Sequence, residues 1–135
     1  MQEPDFAEKF LRVFGAGEVV FEEQSVGRQM YVVNAGRVHV FRRACGKQVL
    51  IGSLGPGDLF GEMALVDDLP RSATVVAAEE NTRLLEIDHA LFTYLVGQQP
   101  AFALVVLKAM SLRLRTQYEH HAPVGPAGQN EDAAG

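Results

Sequence analysis

The sequence predicts an antiparallel β-roll flanked by helices, a mostly β fold of the double-stranded jelly-roll type. Three observations lead there. From Glu18 to Ile87, short β-rich runs alternate with Gly, Pro, Asn and Asp, the pattern of many brief strands joined by tight turns. On both sides of that block, apolar residues fall near helical spacing. The 135 residues are 47% apolar and 21% charged, which suits one ordinary globule able to bury a core without staples.

The elements follow in chain order. Residues 4–14 place Phe6, Phe10, Leu11, Val13 and Phe14 near helical spacing, Pro4 suits the first turn, and Gly15 and Gly17 end the helix. Strands are expected at 19–21, 30–33, 37–41, 48–52, 73–77 and 83–87. Asn34-Ala35-Gly36 reads as a tight hairpin, with Gly36 free to take positive φ. Gly55-Pro56-Gly57-Asp58 is a turn, because proline pre-sets its second position and glycine suits its third. A short helix is expected over 89–97, and Pro100 opens a longer one to about Tyr118. That last helix is apolar on nearly every side at its start, whereas packing on one sheet needs a single stripe. Two stripes suit a helix that meets the roll on one side and a second copy of the chain on the other, a homodimer through residues 101–118. The alternative is a helix buried within one domain. Residues 1–118 form the expected domain. Residues 119–135, rich in Gly, Pro and small or acidic residues, form an expected disordered tail.

Composition excludes several function classes. A net charge of −5 argues against binding nucleic acid, which needs a surplus of Lys and Arg on some face. Arg37, Arg42, Arg43 and Lys47 are read as solvated strand edges and a loop. No apolar run approaches a membrane span, and the acidic start lacks signal-peptide character, so a cytoplasmic location is expected. Cys45 is the single cysteine and sits in a loop with no His/Asp partner to mark it as a nucleophile. His39 and His89 stand apart, and His120 and His121 fall on a fraying helix end, so no metal site is expected and an enzyme is disfavoured.

Residues 59–75, LFGEMALVDDLPRSATV, carry the functional signal. Phe60 and Leu65 are apolar anchors, and Gly61 allows close backbone approach. Gly61-Glu62-Met63-Ala64-Leu65 suits a short helix whose free N–H groups face an anion. Arg71 follows, flanked by the small Ser72 and Ala73. A guanidinium buried among small residues needs an anion, and its planar fork suits phosphate. A nearby carboxylate accepts hydroxyl hydrogen bonds, so Glu62 with Arg71 suits a ribose cyclic phosphate. Spacing alone equally admits an internal Glu62–Arg71 salt bridge that closes the loop.

Phe60-Gly61-Glu62-Met63-Ala64-Leu65 and Arg71-Ser72-Ala73-Thr74-Val75 resemble the phosphate-binding cassette of the cyclic-nucleotide-binding domains. This family is shared by the bacterial cyclic-AMP receptor protein, protein-kinase regulatory subunits and nucleotide-gated channels. Gly17 to Phe21, Met30 to Val33, Gly36 to Val38 and Leu54 to Asp58 resemble its earlier strands and turns, so the likeness covers about residues 5–118. Gln24-Ser25 stands where the family often has a Gly-Asp turn.

The resemblance implies a phosphate-cassette helix and assigns roles. Glu62 accepts the ribose hydroxyl, Arg71 pairs with the cyclic phosphate, and Gly61, Met63, Ala64, Ser72 and Ala73 complete the cassette. Val40, Ile51 and Leu54 line the apolar side, and Arg113, Thr116, Gln117 and Tyr118 lie where the last helix meets the base. The implied ligand is cyclic AMP ahead of cyclic GMP, and no other cofactor is implied. The function expected is a non-catalytic sensor that signals through its last helix to an effector protein or to its own dimer, without binding DNA by itself. The alternative is an interaction module whose pocket is vacant or repurposed.

Overall fold

Antiparallel pairing divides the strands between two four-stranded sheets, with an apolar cluster drawn from both. The computed structural model describes residues 9–108. Strands β1 (Leu11–Phe14), β2 (Val19–Phe21), β3 (Met30–Ala35), β4 (Val38–Ala44), β5 (Lys47–Leu54), β6 (Leu59–Phe60), β7 (Thr74–Ala77) and β8 (Thr82–Ile87) precede helix α1 (His89–Gln98). Residues 101–108 are helical as well. One four-stranded sheet has the order β1-β8-β3-β6 and the other β2-β7-β4-β5, and every pairing is antiparallel.

Two expectations are corrected. Leu11–Phe14 is a strand, not the end of a helix, and only residues 9–10 of the described segment are helical. The strand wins because β8 offers a partner in register, Leu11 opposite Leu85 through Phe14 opposite Thr82. In that strand the two end residues, Leu11 and Phe14, are half-buried, and Arg12 and Val13 between them are exposed. Asn34-Ala35-Gly36 is not a hairpin, because β3 and β4 belong to different sheets. Gly36 does take positive φ, 87°, and carries the chain between the sheets so close to Thr82 that a Cβ would meet its Cα at 2.7 Å. The tight hairpin lies between β4 and β5, at Cys45 (φ 52°) and Gly46 (φ 78°), the pair of positive angles that a type I′ turn requires.

Other turns form as their residues dictate. Pro56-Gly57 makes the turn before β6, with Gly57 at φ 92° and Asp58 N–H donating to the Gly55 carbonyl at 3.0 Å. Asp88 caps α1 by accepting from Leu91 N–H at 2.8 Å.

Two apolar clusters fill the fold. The first lies between the sheets and joins Tyr31, Val33, Val38, Val40, Phe60, Ala73, Val75 and Leu84. The second joins Met30, Leu59, Ile87, Leu91 and Val106, with Leu65 and Phe102 packed against them. The second cluster therefore ties the segment after β6 to the helices.

Candidate functional site

The segment between β6 and β7 is built around one buried cation. Gly61 sits at φ 76°, a left-handed conformation that glycine adopts without strain. It opens a short 3-10 turn, Glu62–Leu65, in which Ala64 N–H donates to the Gly61 carbonyl at 3.1 Å. That amide is thus engaged by the turn itself. Glu62 is fully buried, and Met63 and Ala64 are half-buried.

Arg71 is 4% exposed. Its backbone is pinned on both sides: Gln24 N–H donates to the Arg71 carbonyl, and Arg71 N–H donates to the Ser25 carbonyl, each at 2.7 Å. Gln24 takes φ 73° at the position where the family often has glycine. The guanidinium reaches back into the roll. Nη2 donates to the Gln29 carbonyl at 2.9 Å, Nη1 lies 3.5 Å from the Gly61 carbonyl, and Cζ sits 4.0 Å from the centroid of the Phe21 ring. Nε is buried with no hydrogen-bond partner. Two glycines make room for the head group, since a Cβ on Gly61 would stand 2.9 Å from Nη1 and one on Gly27 would stand 2.5 Å from Nη2. Burial pulls the guanidinium below its ordinary pKa, while Tyr31 and Glu86 push it back up. These contacts, to carbonyls and a ring, lend no support to a loop-closing salt bridge with Glu62.

Beside this cation, Tyr31 donates its hydroxyl to Glu86 at 3.0 Å. Burial, followed by the charge and hydrogen bond of Glu86, pushes the Tyr31 pKa up to about 12.

The remaining expected residues fall as follows. Ser72 is half-buried, and its carbonyl accepts from Arg42 Nε at 3.1 Å. Arg42 is therefore partly buried against the cassette, which corrects its expected place on a solvated edge. Arg43 and Lys47 are exposed as expected. Ala73 and Val40 are buried in the inter-sheet cluster, with Ile51 and Leu54 packed against it. Cassette and expected apolar lining thus share one cluster. Arg113, Thr116, Gln117 and Tyr118 lie outside the described residues, as does most of the expected dimer helix. Sequence reasoning missed Gln29, Gly27 and Phe21 as the surroundings of Arg71. Gln29 acts through a carbonyl that any residue supplies, so no side-chain signal marked it.

Chemically, the arrangement suits an anion. A buried cation whose Nε has no hydrogen-bond partner is held beside a left-handed glycine turn and a buried carboxylate. Among the described residues no group of three His, Cys, Asp or Glu side chains is placed to hold a metal ion. No described helix is long and apolar enough to cross a membrane.

The sequence profile of the cyclic nucleotide-binding domain matches residues 11–99. The cyclic AMP receptor protein of Thermus thermophilus is 36% identical over 105 residues, which are 77% of this chain and 48% of that protein. The crystal structure of the Thermus thermophilus catabolite activator protein is similar with a TM-score of 0.72 at 34% identity, covering 84% of this chain and 54% of that one. A protein of a cyclic-GMP-dependent signalling pathway that regulates bacterial phytopathogenesis matches with a TM-score of 0.67 at 31% identity, covering 84% of this chain and 94% of that one. The chain spans about half the length of the curated relatives it matches.

Proposed function

Because this chain belongs to the cyclic nucleotide-binding domain family, we propose that it is a non-catalytic sensor module for a cyclic mononucleotide, cyclic AMP ahead of cyclic GMP. The observation that carries this reading is the buried Nε of Arg71, which has no hydrogen-bond partner. A buried donor without an acceptor costs about 1–3 kcal/mol, more on a charged group, and a phosphate oxygen offsets that cost. Gln29, Gly61 and Phe21 hold the other edges of the guanidinium, so little ordering is left for the ligand to impose. Glu62 supplies the carboxylate for the ribose hydroxyl. Gly61, Met63, Ala64, Ser72 and Ala73 form the rest of the cassette, and Val40, Ile51 and Leu54 form the apolar wall. Arg113 and Gln117 are proposed to meet the base. The preference for cyclic AMP is supported by the name of the Thermus thermophilus receptor, and cyclic GMP stays in view through the relative from a cyclic-GMP-dependent pathway.

The signal is proposed to leave through the last helix. Leu65 of the cassette turn packs on the same apolar cluster as Phe102 and Val106, so a change in the turn can reach that helix through the shared cluster. The helix passes it to the chain's own dimer or to an effector protein. A cytoplasmic location and no DNA binding by this chain alone accompany that reading.

Calorimetric titration of nucleotide-stripped protein with cyclic AMP, and in parallel with cyclic GMP, tests it. The expected result is saturable binding at roughly micromolar affinity or better, lost in Arg71→Ala. Folded wild-type protein that takes up neither nucleotide would instead indicate an interaction module with a repurposed pocket.

A further inference from the structure

A second set of charges backs the Arg71 site. Tyr31 donates to Glu86 Oε2 at 3.0 Å, and Glu86 Oε1 meets Arg12 Nε at 2.8 Å. Gln29, whose carbonyl holds Arg71, lines a cleft of about 260 Å³ together with Arg12 and Glu86. The Tyr31 ring stacks on Phe60 at 5.3 Å and lies 6.0 Å from Phe21, the ring beneath the Arg71 guanidinium. Tyr31 and Gln29 thus connect the Glu86 carboxylate to the surroundings of Arg71.

We propose that Glu86 sets the affinity of the Arg71 site: its carboxylate opposes the anion held there, and Arg12 offsets part of that opposition. The inference rests on the cyclic-nucleotide reading above. Two like charges repel across protein more strongly than across water. Arg12 does not cancel the effect, because its side chain is 63% exposed and water-screened, whereas that of Glu86 is 21% exposed. Of this ion pair, the carboxylate therefore contributes the larger inward field.

A purely structural role is the competing account, since Arg12, Glu86 and Tyr31 stitch the adjacent strands β1, β8 and β3. That account predicts lower stability in every variant and tighter binding in none. The electrostatic account predicts opposite signs for the two partners of one ion pair.

Calorimetric titration of the full chain with cyclic AMP (or cyclic GMP, should wild type take up only that) separates them. Glu86→Gln keeps the shape and an oxygen acceptor for Tyr31, and is expected to tighten binding roughly three- to tenfold. Arg12→Ala removes an exposed side chain and is expected to weaken binding roughly two- to fivefold. In the double variant the Arg12→Ala effect should shrink to less than about twofold, because no carboxylate is left to unmask. Glu86→Gln binding no tighter than a wild type that does bind overturns the inference alone, as does Arg12→Ala that does not weaken binding. A wild type that binds neither nucleotide overturns the sensor reading and the inference with it.

Discussion

Gly61 and Gly57 both take positive φ, 76° and 92°, yet they differ in what surrounds them. A Cβ on Gly57 meets nothing within 4 Å, whereas one on Gly61 would stand 2.9 Å from Arg71 Nη1 and 3.3 Å from the Gln29 carbonyl oxygen. Alanine at either position carries the left-handed cost of about 1 kcal/mol. Only at Gly61 does it also push on the guanidinium and the carbonyl that holds it. Gly57→Ala is therefore expected to lower stability by about 1 kcal/mol and leave nucleotide affinity within twofold of wild type. Gly61→Ala is expected to lose a similar or somewhat larger stability and at least about tenfold in affinity. Thermal unfolding paired with calorimetric titration measures both quantities. Equal affinity losses in the two variants would show that backbone strain, rather than displacement of Arg71, controls the site. At this scale the sequence was informative about side chains and silent about backbone. The F-G-E motif and the Arg71-Ser72-Ala73 run stood out, because glycine, a carboxylate and an arginine among small residues are chemically unusual together. The Gln29 carbonyl and the Gln24–Ser25 clamp on the Arg71 backbone leave no such mark.

Strands β3 and β8 place Tyr31 directly opposite Glu86, so a tyrosine of the inter-sheet cluster shares a proton contact with a carboxylate. Its pKa of about 12 lies above the ordinary value of 10.0. The folded chain therefore keeps the phenolic proton after the unfolded chain has lost it. The stabilisation is fully present below pH 10 and fades as pH rises through 12. Two units correspond to about 2–3 kcal/mol. Chemical denaturation between pH 9 and about 12 should show a steeper alkaline loss of stability in wild type than in Tyr31→Phe, by about that amount. Parallel curves would mean that Tyr31 is solvated in the folded state. The other elements show where sequence pattern was sufficient. Long alternating runs such as β4, and runs bounded by clear turn residues such as β7, were legible from their period. β1 was not, because Phe10, Leu11 and Phe14 satisfy helical spacing as well as a strand edge, and only the partner strand β8 decides between them. β6 has two residues, too few to carry any period. Gly36 signalled a chain reversal correctly, but whether the next strand stays in the sheet or crosses to the facing one depends on tertiary packing.

Among the described residues, 101–108 form a helix with two apolar faces. Over residues 101–108, Val106 is 3% exposed and packs with Phe102 into the cluster that contains Leu65, while Leu104, Val105 and Leu107 are more than half exposed. Each large aliphatic side chain is stabilised by about 1.5–3 kcal/mol when buried, so three on one turn favour association of two such helices. The expected state in sedimentation equilibrium is a dimer, and Leu104→Glu combined with Leu107→Glu should give a monomer that keeps its fold, because neither side chain belongs to the buried core. If the same helix takes the cassette turn on one face and its mate on the other, ligand binding and dimerisation are linked, and linkage is reciprocal. Saturating nucleotide should then change the dimer dissociation constant by several-fold, a coupling of about 1 kcal/mol. The Leu104→Glu/Leu107→Glu monomer should still bind nucleotide, with an affinity independent of protein concentration. A wild-type dimer whose dissociation constant is unchanged by nucleotide would mean that the outward face holds two copies together without carrying the signal, and the effector would then have to read the cassette or the roll directly.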